Sequence, residues 1–433
     1  MRSIRIRDAK DLRALGASLR TVSAAARTQE RAVAAILRGV EKRGDKALLA
    51  YARRFDGFKG GAKDLLVGAS EVKAAYARVD KAFVKAIETV ISNVRSYQAR
   101  LKPKSWRSHL RSGVLLGQMV RPLRRVGLYV PGGEAPLVST VLMTAVPASV
   151  AGVKELVLAT PDRFNKGVDP RLLVAADMAG VKEILRVGGA QAIAALAYGT
   201  ASVQRVDKIV GPGNSWVALA KKQVYGVCGI DMIAGPSEAL VLADDSAPAE
   251  WVAADLLSQA EHAGDETAVL VTPSARLAKA VLAALKKRLK SLPRRSAATS
   301  SLQRHGLVVV CRDMELAVAV ADLLAPEHLQ LMVRDSEAWL PKLKAAGAIF
   351  VGPYTPVALG DFLAGPSHVL PTGGTARFSS GLSVEDFVTR SSLIGYSRPA
   401  LEAALPVLQA IGGAEGLQAH VLSGQVRLPK KKA

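Results

Sequence analysis

Residues 126–159 read VGLYVPGGEAPLVSTVLMTAVPASVAGVKELVLA, and their order decides the fold. A short β-rich run, 126–130, ends in Pro131-Gly132-Gly133; an apolar stretch of helical length, 137–151, follows; a second β-rich run, 155–159, closes the unit. Strand, helix and strand in that order predict a parallel pair joined by a right-handed crossover. The unit recurs downstream. Runs at 183–187, 208–210, 239–243, 268–271, 307–311, 329–333 and 349–351 read as strands. Segments 170–179, 190–198, 214–225, 248–261, 275–289, 314–324 and 336–346 read as the helices between them. Two series of such units predict the α/β class, with two Rossmann-like parallel-sheet lobes. Residues 1–100 read as mostly helical. The last fifty read as a helical, Ser/Thr-rich arm, too small to bury a core of its own. The expected organisation is a helical N-terminal segment (1–25), a first α/β lobe from 26–125 plus 239–382, a second from 126–238, and a C-terminal dimerisation arm (383–433).

Composition narrows the class. The chain has 433 residues, of which 49% are hydrophobic and 22% charged, which excludes a disordered chain. Two cysteines, Cys228 and Cys311, exclude a disulfide framework and point to a reduced, cytoplasmic setting. The N-terminal MRSIRIRDAKDLRAL carries charge throughout, so no secretory leader is expected. The longest apolar stretch, 136–152, is too short to span a membrane. The formal net charge is +22. Its basic clusters, at 100–125, 286–304 and the C-terminal lysines, are scattered and lack interleaved aromatic residues, which make up 5% of the chain. Nucleic acid is therefore not the expected partner.

Four constellations could carry chemistry. The strand ends around Tyr129, Gln191 and Asn214 are rich in glycine and proline: Pro131-Gly132-Gly133, Gly188-Gly189-Ala190, Gly211-Pro212-Gly213. Ligands of open α/β sheets bind beyond the carboxyl ends of strands, where helix N-termini can offer N–H groups to phosphate. No G-x-G-x-x-G is present, so the loops permit a dinucleotide without identifying one. Gln259 and His262 lie at i and i+3 near the end of an amphipathic helix and so share a face. That spacing can place two ligands on one metal, but glutamine is an uncommon zinc ligand and the spacing by itself favours a satisfied surface histidine. Glu327 and His328, after Pro326, put a carboxylate and an imidazole side by side, enough for two proton removals, though two residues alone read more simply as a solvated glutamate beside a flanking histidine. Asp361 and His368 bracket one loop, and Glu415 and His420 another.

Together with the long motifs that contain them, these residues resemble one family, histidinol dehydrogenase, nearly end to end. The motifs are 127–133 (GLYVPGG), 187–192 (VGGAQA), 211–214 (GPGN), 230–238 (IDMIAGPSE), 258–262 (SQAEH), 325–329 (APEHL), 365–368 (GPSH), 370–383 (LPTGGTARFSSGLS) and 415–420 (EGLQAH). The resemblance implies a homodimer whose C-terminal arms cross between subunits. It implies one zinc per subunit on Gln259, His262 and Asp361 of one chain and His420 of the other. NAD contacts are implied at Tyr129, Gln191 and Asn214. Substrate contacts are implied at Ser237, Gln259, His262, His328, Asp361, His368, Glu415 and His420. Glu327 and His328 are implied as the proton acceptors in a four-electron oxidation of L-histidinol to L-histidine, through a bound aldehyde, with two NAD⁺. In that reading zinc anchors the substrate rather than polarising its alcohol. Ala263 departs from the expected pattern, which has an acidic or polar residue beside the metal ligand. Neither cysteine lies in a matching motif, which disfavours a covalent thiol route.

Overall fold

In the computed structural model, described over residues 1–18, 24–111, 113–132, 136–162, 167–261 and 265–428, the apolar runs become strands. In chain order these are β1 (Arg2–Ile6), β2 (Trp106–Arg111), β3 (Val114–Pro122), β4 (Arg125–Tyr129), β5 (Glu155–Ala159), β6 (Glu183–Leu185) and β7 (Lys208–Val210). They continue with β8 (Gly229–Ile230), β9 (Glu238–Ala243), β10 (Thr267–Thr272), β11 (Leu307–Cys311), β12 (His328–Met332), β13 (Ala348–Val351) and β14 (Val388–Tyr396). The chain packs as two units. One comprises Met1–Leu101 and Leu123–Phe387; the other comprises Lys102–Pro122 and Val388–Ala433.

The larger unit holds two all-parallel sheets. The five-stranded sheet runs β6-β5-β4-β7-β8 and the six-stranded sheet runs β1-β11-β10-β9-β12-β13. Alternate residues of the six-stranded sheet feed two cores. Leu240, Leu242, Leu329 and Leu331 join one; Val241, Ala243 and Met332 join the other, with the helices Ala249–Ala260, Ala275–Arg288 and Arg295–Arg304. Burial on both faces is the reason these strands read as continuous apolar runs. Arg125 pins the amino edge of the five-stranded sheet. It is buried and bonds Glu183 at 2.7 and 2.8 Å and Glu155 at 3.3 Å.

The packing differs from the expected boundaries in three places. Arg2–Ile6, expected in a helical segment, form an edge strand, because Ile4 and Ile6 alternate with Arg5 and Arg7 at the two-residue period of β structure. The helix Ala24–Arg43, expected with the lobe of 239–382, packs through Val33, Leu37 and Val40 into the core of the five-stranded lobe, beside Ile193 and Val217. Residues 106–122 form a hairpin that joins the C-terminal arm. Strand β14 pairs antiparallel with β3 from Val388↔Pro122 to Tyr396↔Val114. The arm expected as helical thus begins with a strand, then continues as the helices Arg398–Ala414 and Gln418–Gln425. Among the described residues no helix is long and apolar enough to cross a membrane.

Candidate active site

The acid–imidazole pair sits at the amino edge of the six-stranded sheet. Glu327 immediately precedes β12 and His328 is its first residue. Strand pitch turns His328 and Gln330 away from Leu329 and Leu331, toward the face covered by the helix Ala249–Ala260. Both pair members are buried, at 5% and 4% exposure. Neighbouring β9 supplies their fixed partner, Glu238: its N–H donates to Glu327 Oε2 at 2.9 Å, and its carbonyl faces His328 Nδ1 at 3.1 Å. Nδ1 opposite a carbonyl must carry the proton in the neutral ring, so Nε2 holds the lone pair. Nε2 lies 3.6 Å from Asp361 Oδ1, and Nδ1 lies 3.6 Å from Glu327 Oε2.

Burial sets the electrostatics. It pushes the Glu327 carboxyl up to about 7, against the pull of the His328 charge. For His328 burial disfavours the charge, but the Glu327 and Asp361 carboxylates outweigh it and raise the imidazole to about 9. Glu238 is also raised by burial, with the Gly373 N–H on its Oε1 (3.1 Å) pulling the other way.

Around the pair, His368 ties the site to the other lobe. Its Nδ1 faces the Asp361 carbonyl at 2.9 Å and its Nε2 faces Thr140 Oγ1, on the helix Val138–Ala151, at 3.1 Å. Ser237 lies next to Glu238, and its carbonyl accepts from Thr267 N–H at 3.0 Å. Gln259 is buried near the end of the helix Ala249–Ala260, and its Nε2 has no hydrogen-bond partner among the described residues. His262 and Ala263 lie outside the described residues.

The glycine loops stand at carboxyl ends of the five-stranded sheet, after β4, β6 and β7. The helix N-termini after β6 and β7 are already engaged. Gly188 N–H and Gln191 Nε2 donate to Asp56 Oδ2 at 3.1 and 3.2 Å, Gly189 N–H donates to the Tyr129 hydroxyl at 2.9 Å, and Asn214 Oδ1 caps the helix Ser215–Val224. Asp56 and Glu238 are the site-forming residues that the sequence reading did not single out. Both act over long sequence separations, Glu238 through its backbone and Asp56 through its carboxylate. Glu238 stood inside a quoted motif; Asp56 had no local signal.

In the smaller unit, Glu415 and His420 are exposed at the junction of its two helices, with Ile394, Ile411, Leu417, Leu422 and Val426 exposed in the same unit. Among the described residues no group of three or more His, Cys, Asp or Glu is placed to hold a metal ion. Cys228 and Cys311 are buried core residues whose thiols burial pushes up to about 12, which disfavours the thiolate.

Fold and site define the class first: a two-lobed α/β protein with a buried acid–base pair at one sheet edge and glycine loops at the other sheet's carboxyl ends. A family model described as histidinol dehydrogenase matches residues 19–428. The histidinol dehydrogenase of Moorella thermoacetica is 51% identical over 392 residues, 90% of this chain and 92% of the relative. That of Geobacillus kaustophilus is 49% identical over 416 residues, 96% and 98%. A crystal structure of histidinol dehydrogenase from Elizabethkingia anophelis superposes with a TM-score of 0.92 at 34% identity, covering 99% of this chain and 98% of that one. The chain belongs to the histidinol dehydrogenase family, and is an oxidoreductase by that membership.

Proposed function

We propose that this chain oxidises L-histidinol to L-histidine, the final step of histidine biosynthesis, in two successive two-electron steps at one site, with two NAD⁺ as acceptors. Family membership supports the substrate. The observation that carries the chemistry is the buried Glu327–His328 pair held by Glu238. His328 Nε2 takes the hydroxyl proton in the first oxidation and the hydrate proton in the second. Between them Glu327, its carboxyl raised to near neutrality, removes a proton from the water that attacks the bound aldehyde. Burial of the pair keeps bulk water from the imidazole.

The donor chemistry suits zinc: Gln259 is a buried amide whose nitrogen has no partner among the described residues, and with Asp361, His262 and His420 it would make a mixed oxygen and nitrogen set. Held by Gln259, His262 and Asp361 of one subunit and His420 of the partner subunit, zinc would anchor the substrate's imidazole and amine nitrogens, which do not react. Ser237, His368 and Glu415 would complete the substrate contacts, and Tyr129, Gln191 and Asn214 those to NAD. The exposed apolar residues in the unit that carries Glu415 and His420 support a homodimer in which this unit docks on a second copy. Counting NADH formed per L-histidinol consumed tests the reading. Two are expected; a yield of one, with histidinaldehyde released, would overturn it.

A further inference from the structure

Gly211 follows β7 in a backbone conformation that residues with a side chain rarely adopt. Its φ is +115°, and a Cβ there would strike the carbonyl oxygen of Tyr129, which is backbone and cannot give way. Two side chains hold it. Asp231 Oδ2 accepts its N–H at 2.7 Å and Lys221 Nζ donates to its carbonyl at 2.8 Å. Lys221 and Asp231 also form an ion pair with each other, with side chains 2% and 0% exposed. The second Asp231 oxygen takes the Met232 N–H at 2.6 Å. Lys221 projects from the helix that Asn214 caps, so the pair closes strand end, loop and helix into one ring. The oxidation proposed above gives this pair no chemical part.

A buried ion pair is weak support for stability, because apolar residues of similar volume serve as well or better. An apolar pair, however, would leave both polar groups of Gly211 unheld. We propose that Lys221 and Asp231 are positioning residues that fix the Gly211–Asn214 loop to receive NAD⁺. The inference rests on the proposed cofactor contact at Asn214.

The test uses the full-length, metal-loaded enzyme and the variants Lys221→Met, Asp231→Leu, the double variant and Asn214→Ala, each measured for kcat, both KM values and Tm. The single variants leave a buried charge unpaired and lose stability. The double variant regains most of the Tm, yet its KM for NAD⁺ stays raised about tenfold while that for L-histidinol changes less than about twofold, as expected for loss of charge-assisted bonds that act on one ligand only. If the single variants fail to fold, the double variant carries the test alone. A wild-type NAD⁺ KM in the double variant, with a raised value in Asn214→Ala, overturns the role of the pair. So does a parallel rise in both KM values that tracks Tm. An unchanged NAD⁺ KM in Asn214→Ala overturns the cofactor contact itself, and the proposal with it.

Discussion

Glu327 and His328 each shape the proton affinity of the other, and a single substitution separates their proposed roles. With Glu327→Gln the water-activating carboxylate is gone, so oxidation of added aldehyde falls by about 10²–10⁴-fold, the usual worth of a general base. Oxidation of the alcohol, which relies on His328, falls far less. Equal loss of both would show that the labour is not divided this way. The substitution also moves the pH profile. His328 accepts a proton only when neutral, so alcohol oxidation rises with pH as the ring loses its proton. After burial, the Glu327 charge is the largest influence on that ring, and it holds the proton on, up to about 9. Removing the charge lets the proton leave at lower pH, so the rising limb shifts toward acid by roughly 1 unit. The pH dependence of first-turnover NADH formation reads the shift; a limb that moves to alkaline pH contradicts it.

Elements away from the site report on stability alone. Ser274 caps the helix Ala275–Arg288, its hydroxyl accepting from Leu277 N–H at 3.1 Å. Ser274→Ala costs about 1 kcal/mol in denaturant unfolding and leaves kcat unchanged; a change in kcat would tie this helix to catalysis. How far the elements were legible follows from their burial. The segments Glu155–Ala159, Lys208–Val210, Leu307–Cys311 and Met314–Leu324 match the sequence reading residue for residue. Their strands are sandwiched between helices and leave an unbroken apolar trace. Strands β2, β3 and β14 left none, because they form a small antiparallel sheet whose residues are mostly half-buried or exposed, and their basic residues read as a solvated face. The helix expected over 336–346 shortens to Ser336–Trp339 and a tighter turn, Leu340–Lys342, around Pro341. At the site, the adjacency of Glu327 and His328 was plain in the chain. Their contacts with Glu238 and Asp361 were not, nor was the capture of Gly188 by Asp56, 132 residues away. Such partners are set by strand order, which no local pattern encodes.

For the whole molecule, the shared zinc site proposed above has an arithmetical consequence. His420→Ala and Gln259→Ala each inactivate a homodimer, but in a mixed dimer one site collects both lesions and the other keeps a full ligand set. Mixing the two inactive variants after reversible dissociation restores about a quarter of wild-type activity under random exchange. No recovery, with exchange shown by an independent tag, would place His420 on its own chain's metal. Strand order also sets a timetable for the nascent chain. β4 to β8 lie within residues 125–230, so the five-stranded sheet has all its members soon after they are made. β1 waits for β11, Arg2 for Leu307, and β3 waits for β14, Val114 for Tyr396. At roughly 5–20 residues per second, the hairpin of β2 and β3 leaves the ribosome on the order of tens of seconds before the strand that covers it. Through that interval its open edge is an unpaired template that a chaperone would have to shield.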